Sequence, residues 1–490
     1  MAIDELVALI HGDTPWPDSQ EAAAAALLGP LFGAPHGRFP EQARKAIDFR
    51  APQMRAEGSV PFAAYIHPDN KNSGMYGGMS IAIFPAPGEP CLLTFVVGTS
   101  GLHPDEEILG RPGHARKLQA ISAWLNEQYG HGQMIAWAKQ DPVRVDEDLP
   151  DTVARRFATH KPALTRYGRE LYAIFRPTGD RAVTLRALKA YFDLMFEERG
   201  FVPLASAKED ADAIRAEWFA HLLPTLAPDD VLALLKSRRY VVIQGPPGTG
   251  KTLMAHNLLR GAYGGNGTTV QFHPNTTYEH FIGGLAPVRT GENLGLAFAP
   301  LPGYLMRAAR SAAEDPSRDY LLMIDEMNRA DLSKILGEAI YLFEPGEVRS
   351  LDLPYDFGGV NGSRLSLPAN LHVLGTMNSA DRSLAMIDIA VRRRFAFTKL
   401  WPQANVVERL GCDLMQQAFR DLVDIFVQHA STDAFDLLPG HSYFLERDDA
   451  QARRQLKVTV APLLEEYLAA GFVSGFAGSI RSYLQWVASL

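Results

Sequence analysis

A chain of 490 residues exceeds one ordinary hydrophobic core, so about two to four domains are expected. With 47% hydrophobic and 21% charged residues it has the composition of a globular protein, and no apolar run is long enough to cross a bilayer. Two cysteines, Cys91 and Cys412, argue against a disulfide scaffold or a zinc site, and a formal charge of −8 excludes nucleic-acid binding by overall electrostatics. Local basic clusters remain at Arg392-Arg-Arg394 and Arg453-Arg454. The start, Met1-Ala-Ile-Asp-Glu-Leu6, lacks the basic flank and apolar core of a secretion signal, which leads us to expect a cytoplasmic protein.

In chain order, residues 1 to 35 are alanine-rich and helical in pattern, with Gln20 to Leu28 the most regular piece and Gly29-Pro30 as its stop. Phe39 to Glu57 reads as a second amphipathic helix. The period then changes to that of short strands at Phe62–Ile66, Ser80–Phe84 and Cys91–Val97, separated by Gly/Pro/Asn clusters, before helix returns at His114 to Tyr129. An α+β domain is expected. Its aromatics, among them Trp16, Trp124, Trp137, Tyr65, Tyr76 and Tyr129, suit either an ordinary core or the stacking of an extruded base, and the core is the simpler reading. His103, His114 and His131 lie near Asp105, Glu106 and Glu107, but their irregular spacing reads as solvated loop rather than metal site. Residues 150 to 230 read as helical and charged, with amphipathic helices at Val183–Arg199 and Lys208–Leu223 and a junction at Pro224–Asp230.

Beyond Val231 the chemistry becomes dense. The apolar run Tyr240–Ile243 leads into Gly245, Pro246, Pro247, Gly248, Thr249, Gly250, Lys251, Thr252 and Leu253, a glycine loop opening a helix. Glycines let consecutive N–H groups turn inward on a phosphate, and the helix start adds the positive end of its dipole. Lys251 is expected to reach the β- and γ-phosphates of a nucleotide and Thr252 to hold Mg²⁺. After a second strand at Thr268–Phe272, a third at Tyr320–Ile324 ends in Asp325 and Glu326, the first suited to Mg²⁺ and the second to polarising water. A fourth, Leu371–Met377, delivers Asn378, whose amide can both donate and accept. Three arginines at 392–394 then suit either a solvated stretch before an apolar strand or contact with a neighbour's γ-phosphate in a ring, where a guanidinium offsets transition-state charge.

Together these elements resemble the AAA+ superfamily, and in detail its McrB branch. The resemblance rests on Gly245–Thr252, Phe272-His-Pro-Asn-Thr-Thr-Tyr-Glu-His-Phe281, Ile324-Asp-Glu-Met-Asn-Arg-Ala330, Gly375-Thr-Met-Asn-Ser-Ala-Asp-Arg-Ser383, Ala390–Phe395 and Gly440-His-Ser-Tyr-Phe444, and covers residues 205 to 490. The residues themselves read as an N-terminal α+β domain (1–180), with a limit near 205 equally defensible, and a helical connector (181–230). The resemblance implies an α/β P-loop core with a parallel sheet (231–400), a C-terminal helical lid (401–490) and a sensor role for the separate N-terminal domain. It further implies Asn378 as sensor, Asp381 and Arg382 in the loop that places the lytic water, and Arg393, with Arg394 in reserve, as a finger in trans. Mg²⁺ with ATP or GTP, a hexameric ring of identical subunits, a McrC-like nuclease subunit and DNA are the implied cofactors and partners, with no membrane. The alternative is a MoxR-like chaperone that remodels a protein partner, which the Met377–Ser383 string disfavours.

Overall fold

The computed structural model describes residues 2–12, 37–50, 60–70, 75–289, 296–344, 346–359, 362–381 and 388–490. The expected helix at Gln20–Leu28, together with Trp16 and Arg382, lies outside them. The chain forms two compact units, Met1–Leu223 with Val427–Ser431, and Pro224–Phe426 with Thr432–Leu490. Among the described residues, no helix is long and apolar enough to cross a membrane.

The first unit is built on an antiparallel sheet of β1 (Asp48–Arg50), β2 (Ala63–Ile66), β3 (Met79–Ala86), β4 (Glu89–Val97), β5 (Ala136–Ala138) and β6 (Leu171–Phe175), in the order β1-β2-β3-β4-β6-β5. Successive side chains of a strand point to opposite faces, and both faces here are covered. Ala64, Ile66, Ala82, Phe84, Leu92 and Ile174 pack with Val153, Phe157 and Leu164 from the helices at Asp151–Arg156 and Lys161–Tyr167 and the turn between them. On the other face Tyr65 meets Phe192, and Phe95 meets Tyr191, from the helix Arg181–Glu198. That helix is started by Asp180, whose carboxylate accepts the Ala182 N–H at 2.8 Å. The α+β expectation holds, as do the three central strands.

Three readings of this unit need correction. Phe39–Glu57 is not one helix: of its described residues, 39–50, Glu41–Arg44 are helical and Asp48–Arg50 form a strand on β2, with Phe49 opposite Tyr65 and their rings 5.5 Å apart. Cross-strand aromatic packing outweighs a short helical period there. The helical reading of 150–230 hid β6, whose five residues are all buried between β4 and β5; a short apolar run carries no periodicity that separates buried strand from buried helix. Finally, His114 and Asp105 are not solvated loop. His114 is buried inside the helix Pro112–Tyr129, its Nε2 3.1 Å from Tyr172 Oη, and burial pulls it down to about 4. Asp105 is buried and paired to Arg199 at 2.9 Å. Among the described residues no cluster of three metal-ligating side chains forms. Trp124 and Tyr65 are also core, which leaves Tyr76, Tyr129 and Trp137 as the half-buried aromatics among the described members of the set.

The second unit centres on a five-stranded parallel sheet. In chain order its strands are β7 (Tyr240–Gly245), β8 (Gly267–Gln271), β11 (Tyr320–Asp325), β14 (Leu371–Asn378) and β15 (Ala396–Lys399), and in space they run β15-β7-β14-β11-β8. Two hairpins that the sequence reading did not anticipate, β9 (Gly283–Arg289) with β10 (Leu296–Pro302) and β12 (Ser350–Asp352) with β13 (Arg364–Ser366), interrupt the order. The continuous apolar runs follow from burial on both faces: Tyr240, Val242, Leu322, Ile324 and Val373 join one core, and Val241, Ile243, Leu321, Met323 and Leu374 the other. Truncating the fully buried Ile243 to Ala is worth about 2–5 kcal/mol of stability. The C-terminal region is helical, including Asp449–Gln455, a π turn at Leu456–Val460, Ala461–Ala469 and Ala477–Ser489. The expected P-loop architecture with parallel sheet and helical C-terminal region is therefore observed. Strand order does the positioning: β14 lies between β7 and β11, so Asn378 sits beside Gly245 on one side and Thr376 beside Asp325 on the other.

Candidate nucleotide site

The loop leaves β7 at Gly245 and enters the helix Lys251–Arg260 through Gly250. Gly248 and Gly250 take φ of 77° and 81°, left-handed values that are costly for residues with a Cβ. Thr249 is buried, and its hydroxyl donates to Pro246 O at 3.0 Å, tying the loop across itself. Lys251 is largely enclosed. Its ammonium donates to Gly245 O at 2.9 Å and to Pro246 O at 2.7 Å, with no carboxylate in ion-pair range among the described residues. Burial draws its pKa down to about 8, against the opposing pull of Glu326, Asp325 and Asp381. A cation held on carbonyls at the mouth of a glycine loop is poised for an anion. Leu253 follows with its side chain 65% exposed.

At the strand ends, Thr252 Oγ1 donates to Asp325 Oδ1 at 2.8 Å and Thr376 Oγ1 donates to the same oxygen at 2.5 Å. The Glu326 N–H donates to Thr376 Oγ1 at 3.2 Å. Glu326 adopts φ 54°, ψ 45°, a left-handed conformation uncommon for a residue with a side chain and most often found where function requires it. Its Oε2 is buried without a hydrogen-bond partner, although Arg329 Nε lies 3.3 Å away at an ion-pair distance. A carboxylate oxygen that accepts no hydrogen bond, beside a hydroxyl–carboxylate pair, is free to accept one from a water. The donor set fits Mg²⁺, which prefers oxygen ligands and keeps several of its own waters, so a hydroxyl and one carboxylate suffice from the protein.

The family comparisons agree with this geometry. Residues 240–395 match the model for the AAA domain, dynein-related subfamily. The chain is 31% identical over 352 residues to the type IV methyl-directed restriction enzyme EcoKMcrB subunit of Escherichia coli, covering 65% of this chain and 75% of that protein. This chain belongs to the McrB family of AAA+ ATPases. It is also 27% identical over 209 residues to the type II restriction enzyme BsuMI component YdiS of Bacillus subtilis, over 36% of this chain and 60% of that protein. A weaker similarity, 27% over 149 residues, links 30% of it to 3% of the cytoplasmic dynein heavy chain of Saccharomyces cerevisiae.

The remaining expected residues of this McrB-family site divide by what holds them. Asn378 Oδ1 accepts the Ala380 N–H at 3.2 Å, and its main-chain carbonyl accepts Asn328 Nδ2 at 3.1 Å, leaving its NH₂ without a partner among the described residues. Asp381 is half-buried and near enough to Lys251 to act on it electrostatically. Arg393 is exposed, with no side-chain hydrogen bond or ion pair to a described residue. Arg394, by contrast, is buried; Nη1 donates to Ala390 O at 2.9 Å and Nε lies 3.6 Å from Glu344 Oε2. The two adjacent arginines thus have opposite environments, one anchored and one available.

The structure brings further residues to this candidate site that the sequence does not single out one by one. Thr376 and Arg329 carry no signal beyond membership of the strings 375–383 and 324–330. More unexpected is the turn Gly440–Phe444, which lies directly on the phosphate loop. The Gly440 N–H donates to Pro247 O at 2.8 Å and the Ser442 N–H to Gly248 O at 3.0 Å. A Cβ at Gly440 would sit 2.1 Å from the Gly248 carbonyl, and one at Gly248 would sit 2.6 Å from both Ser442 Oγ and the Tyr443 ring. Glycine is demanded at both positions by mutual approach.

Proposed function

We propose that this chain is a ring-forming nucleoside-triphosphate motor of a restriction system, which couples hydrolysis of ATP or GTP to the action of a McrC-like nuclease subunit on DNA. The observation that carries the reading is the pairing of a complete hydrolytic cluster with an arginine, Arg393, that no described residue of its own chain holds. In this reading the N–H groups from Gly245 to Leu253, with Pro246 and Pro247 shaping the turn, cradle the phosphates. Lys251 neutralises the β- and γ-phosphates, and Thr252 with Asp325 holds Mg²⁺. The metal, when bound, draws charge off the phosphate oxygens. Glu326 takes the proton of the attacking water, Asn378 and the Asp381–Arg382 loop orient that water, and Arg393 of one subunit reaches the γ-phosphate of its neighbour.

Support for the DNA-directed part comes from the relatives, one called a methyl-directed restriction subunit and the other a restriction component. The first unit, outside the matched AAA domain, is the candidate reader of the target. The test is hydrolysis of ATP and of GTP by the purified full chain, with unmodified and modified DNA and with a McrC-like subunit, alongside sedimentation with and without nucleotide. Nucleotide-dependent assembly and turnover that responds to DNA or to the nuclease subunit are expected. A chain that stays monomeric and hydrolyses neither nucleotide overturns the motor; one that assembles but ignores DNA and nuclease alike overturns the restriction role.

A further inference from the structure

The Gly440–Phe444 turn does more than cover the phosphate loop, because one of its side chains brings a defined donor to it. His441 is half-buried, and its Nδ1 accepts the main-chain N–H of Gln403 at 3.1 Å. Accepting there requires Nδ1 to be unprotonated, so the ring proton resides on Nε2. Burial holds the imidazole below its ordinary value and so in the neutral form. Nε2 in turn lies over the loop: a Cβ built on Gly250, the residue that opens the Lys251–Arg260 helix, would be 3.8 Å from it. No described residue accepts from that Nε2–H. The backbone bonds of Gly440 and Ser442 to Pro247 and Gly248 lock the turn in this register, so the donor is preorganised rather than swung in. A second buried donor belongs to the same corner. The Tyr467 hydroxyl has no hydrogen-bond partner, its residue is 5% exposed, and burial, followed by the charges of Tyr443, Glu466 and Asp381, pushes its pKa up.

We propose that His441 is a nucleotide-contacting residue whose Nε2–H donates a hydrogen bond to a nucleoside triphosphate seated on the phosphate loop, so that the helical C-terminal region closes the site chemically as well as sterically. This rests on the nucleotide-site reading of Gly245–Leu253. Gln403 acts as a positioning residue, since its N–H selects the tautomer that makes Nε2 the donor. The turn's two backbone bonds fix the distance between this donor and the loop, which ties occupancy of the site to the placement of the C-terminal helices.

The experiment measures binding of fluorescent N-methylanthraniloyl ATP and GTP, with Mg²⁺, to full-length wild type and to His441→Ala, His441→Phe, His441→Gln and Lys251→Ala, each first checked for native melting. Loss of one hydrogen bond to a charged acceptor predicts about a tenfold weaker affinity for His441→Ala and His441→Phe. His441→Gln, which can present an amide N–H near the Nε2 position, should recover most of it, and in turnover the loss should fall on KM more than on kcat. Where His441→Ala does not fold, the Phe variant, which keeps the ring volume, and the Gln variant carry the comparison. Equal affinity of the Phe variant and wild type, with Lys251→Ala clearly impaired, overturns the role of His441 alone. Unimpaired binding by Lys251→Ala overturns the site reading beneath it.

Discussion

The ion-pair network around Glu198 in the first unit and the nucleotide site in the second treat enclosed charge differently. In the first, the most enclosed carboxylates sit in matched pairs: Glu198, with a side chain of 0% exposure, lies 2.7 Å from Lys117 Nζ and 3.0 Å from Arg111 Nη2. Asp105 is held by Arg199 and by the Met79 N–H, and Asp193 by Arg38. In the second unit the nucleotide site encloses Lys251 with only the carbonyls of Gly245 and Pro246 as its hydrogen-bond partners among the described residues, and Glu326 Oε2, though 3.3 Å from Arg329 Nε, accepts no hydrogen bond. Unpaired buried charge is costly, and it persists where a ligand supplies the missing partner. The matched network reads as architecture and the unmatched one as function. That contrast ranks the consequences of mutation.

The largest effect is expected where a charge is both exposed and unheld. Arg393→Ala should leave melting unchanged and lower turnover about 10³–10⁵-fold, the range for an arginine that stabilises a transferring phosphoryl group. Mixing it with Lys251→Ala subunits, which lack a working loop but keep the finger, should restore activity; no recovery at any ratio removes the trans assignment. Arg394→Ala is the internal contrast: its burial, its hydrogen bond to Ala390 O and its ion pair with Glu344 predict a loss of melting temperature instead. If both variants behaved alike, the division between anchored and available arginines would fail.

Next comes Glu326→Gln, which keeps shape and removes the base. Turnover should fall about 10²–10⁴-fold while nucleotide affinity in a binding assay stays near wild type. Unchanged turnover would reduce the strained φ of 54° to a turn requirement. The matched network gives the mirror experiment. Glu198→Ala strands Lys117 and Arg111 and should cost about 3–5 kcal/mol in denaturant unfolding, with little change in turnover per folded molecule. Burial alone would raise the Glu198 pKa, but Lys117, His114 and Arg111 bring it net below its ordinary 4.5. Its contribution is therefore present above that value and lost as pH falls through the lower folded one, so the variant's deficit should shrink in acid.

Most of this second unit was legible because its chemistry is contiguous in sequence. A phosphate loop needs glycines, a lysine and a hydroxyl within one turn, and a parallel strand buried on both faces must be apolar throughout, so Tyr240–Thr252, Tyr320–Glu326 and Leu371–Asn378 announce themselves. What stayed hidden is assembled across the chain. Nothing local to His441 tells that it stands over Gly250, since that follows from two glycines approaching each other across the fold. Thr376 becomes a partner of Asp325 only through the pairing of β14 with β11. In the first unit, β6 and the pairing of β1 were missed for the same reason, because a short strand is decided by what it lies against rather than by its own period.

The smallest effect tests the contrast through pH alone. Because burial brings Lys251 down to about 8, raising pH through that value deprotonates the empty site, whereas a bound triphosphate would hold the lysine charged. Binding then takes up a proton, and affinity for a Mg²⁺–nucleotide should fall as pH rises above about 8, by at most about tenfold per unit. Stability of the empty protein moves the other way. Between about 8 and the ordinary 10.5 the unfolded chain binds the extra proton, so this group favours the folded state increasingly as pH rises. Opposite slopes for binding and for nucleotide-free melting, both flattened in Lys251→Ala, identify a cation whose natural counter-charge is the ligand. Parallel slopes would place Lys251 with the matched pairs of the first unit and erase the distinction.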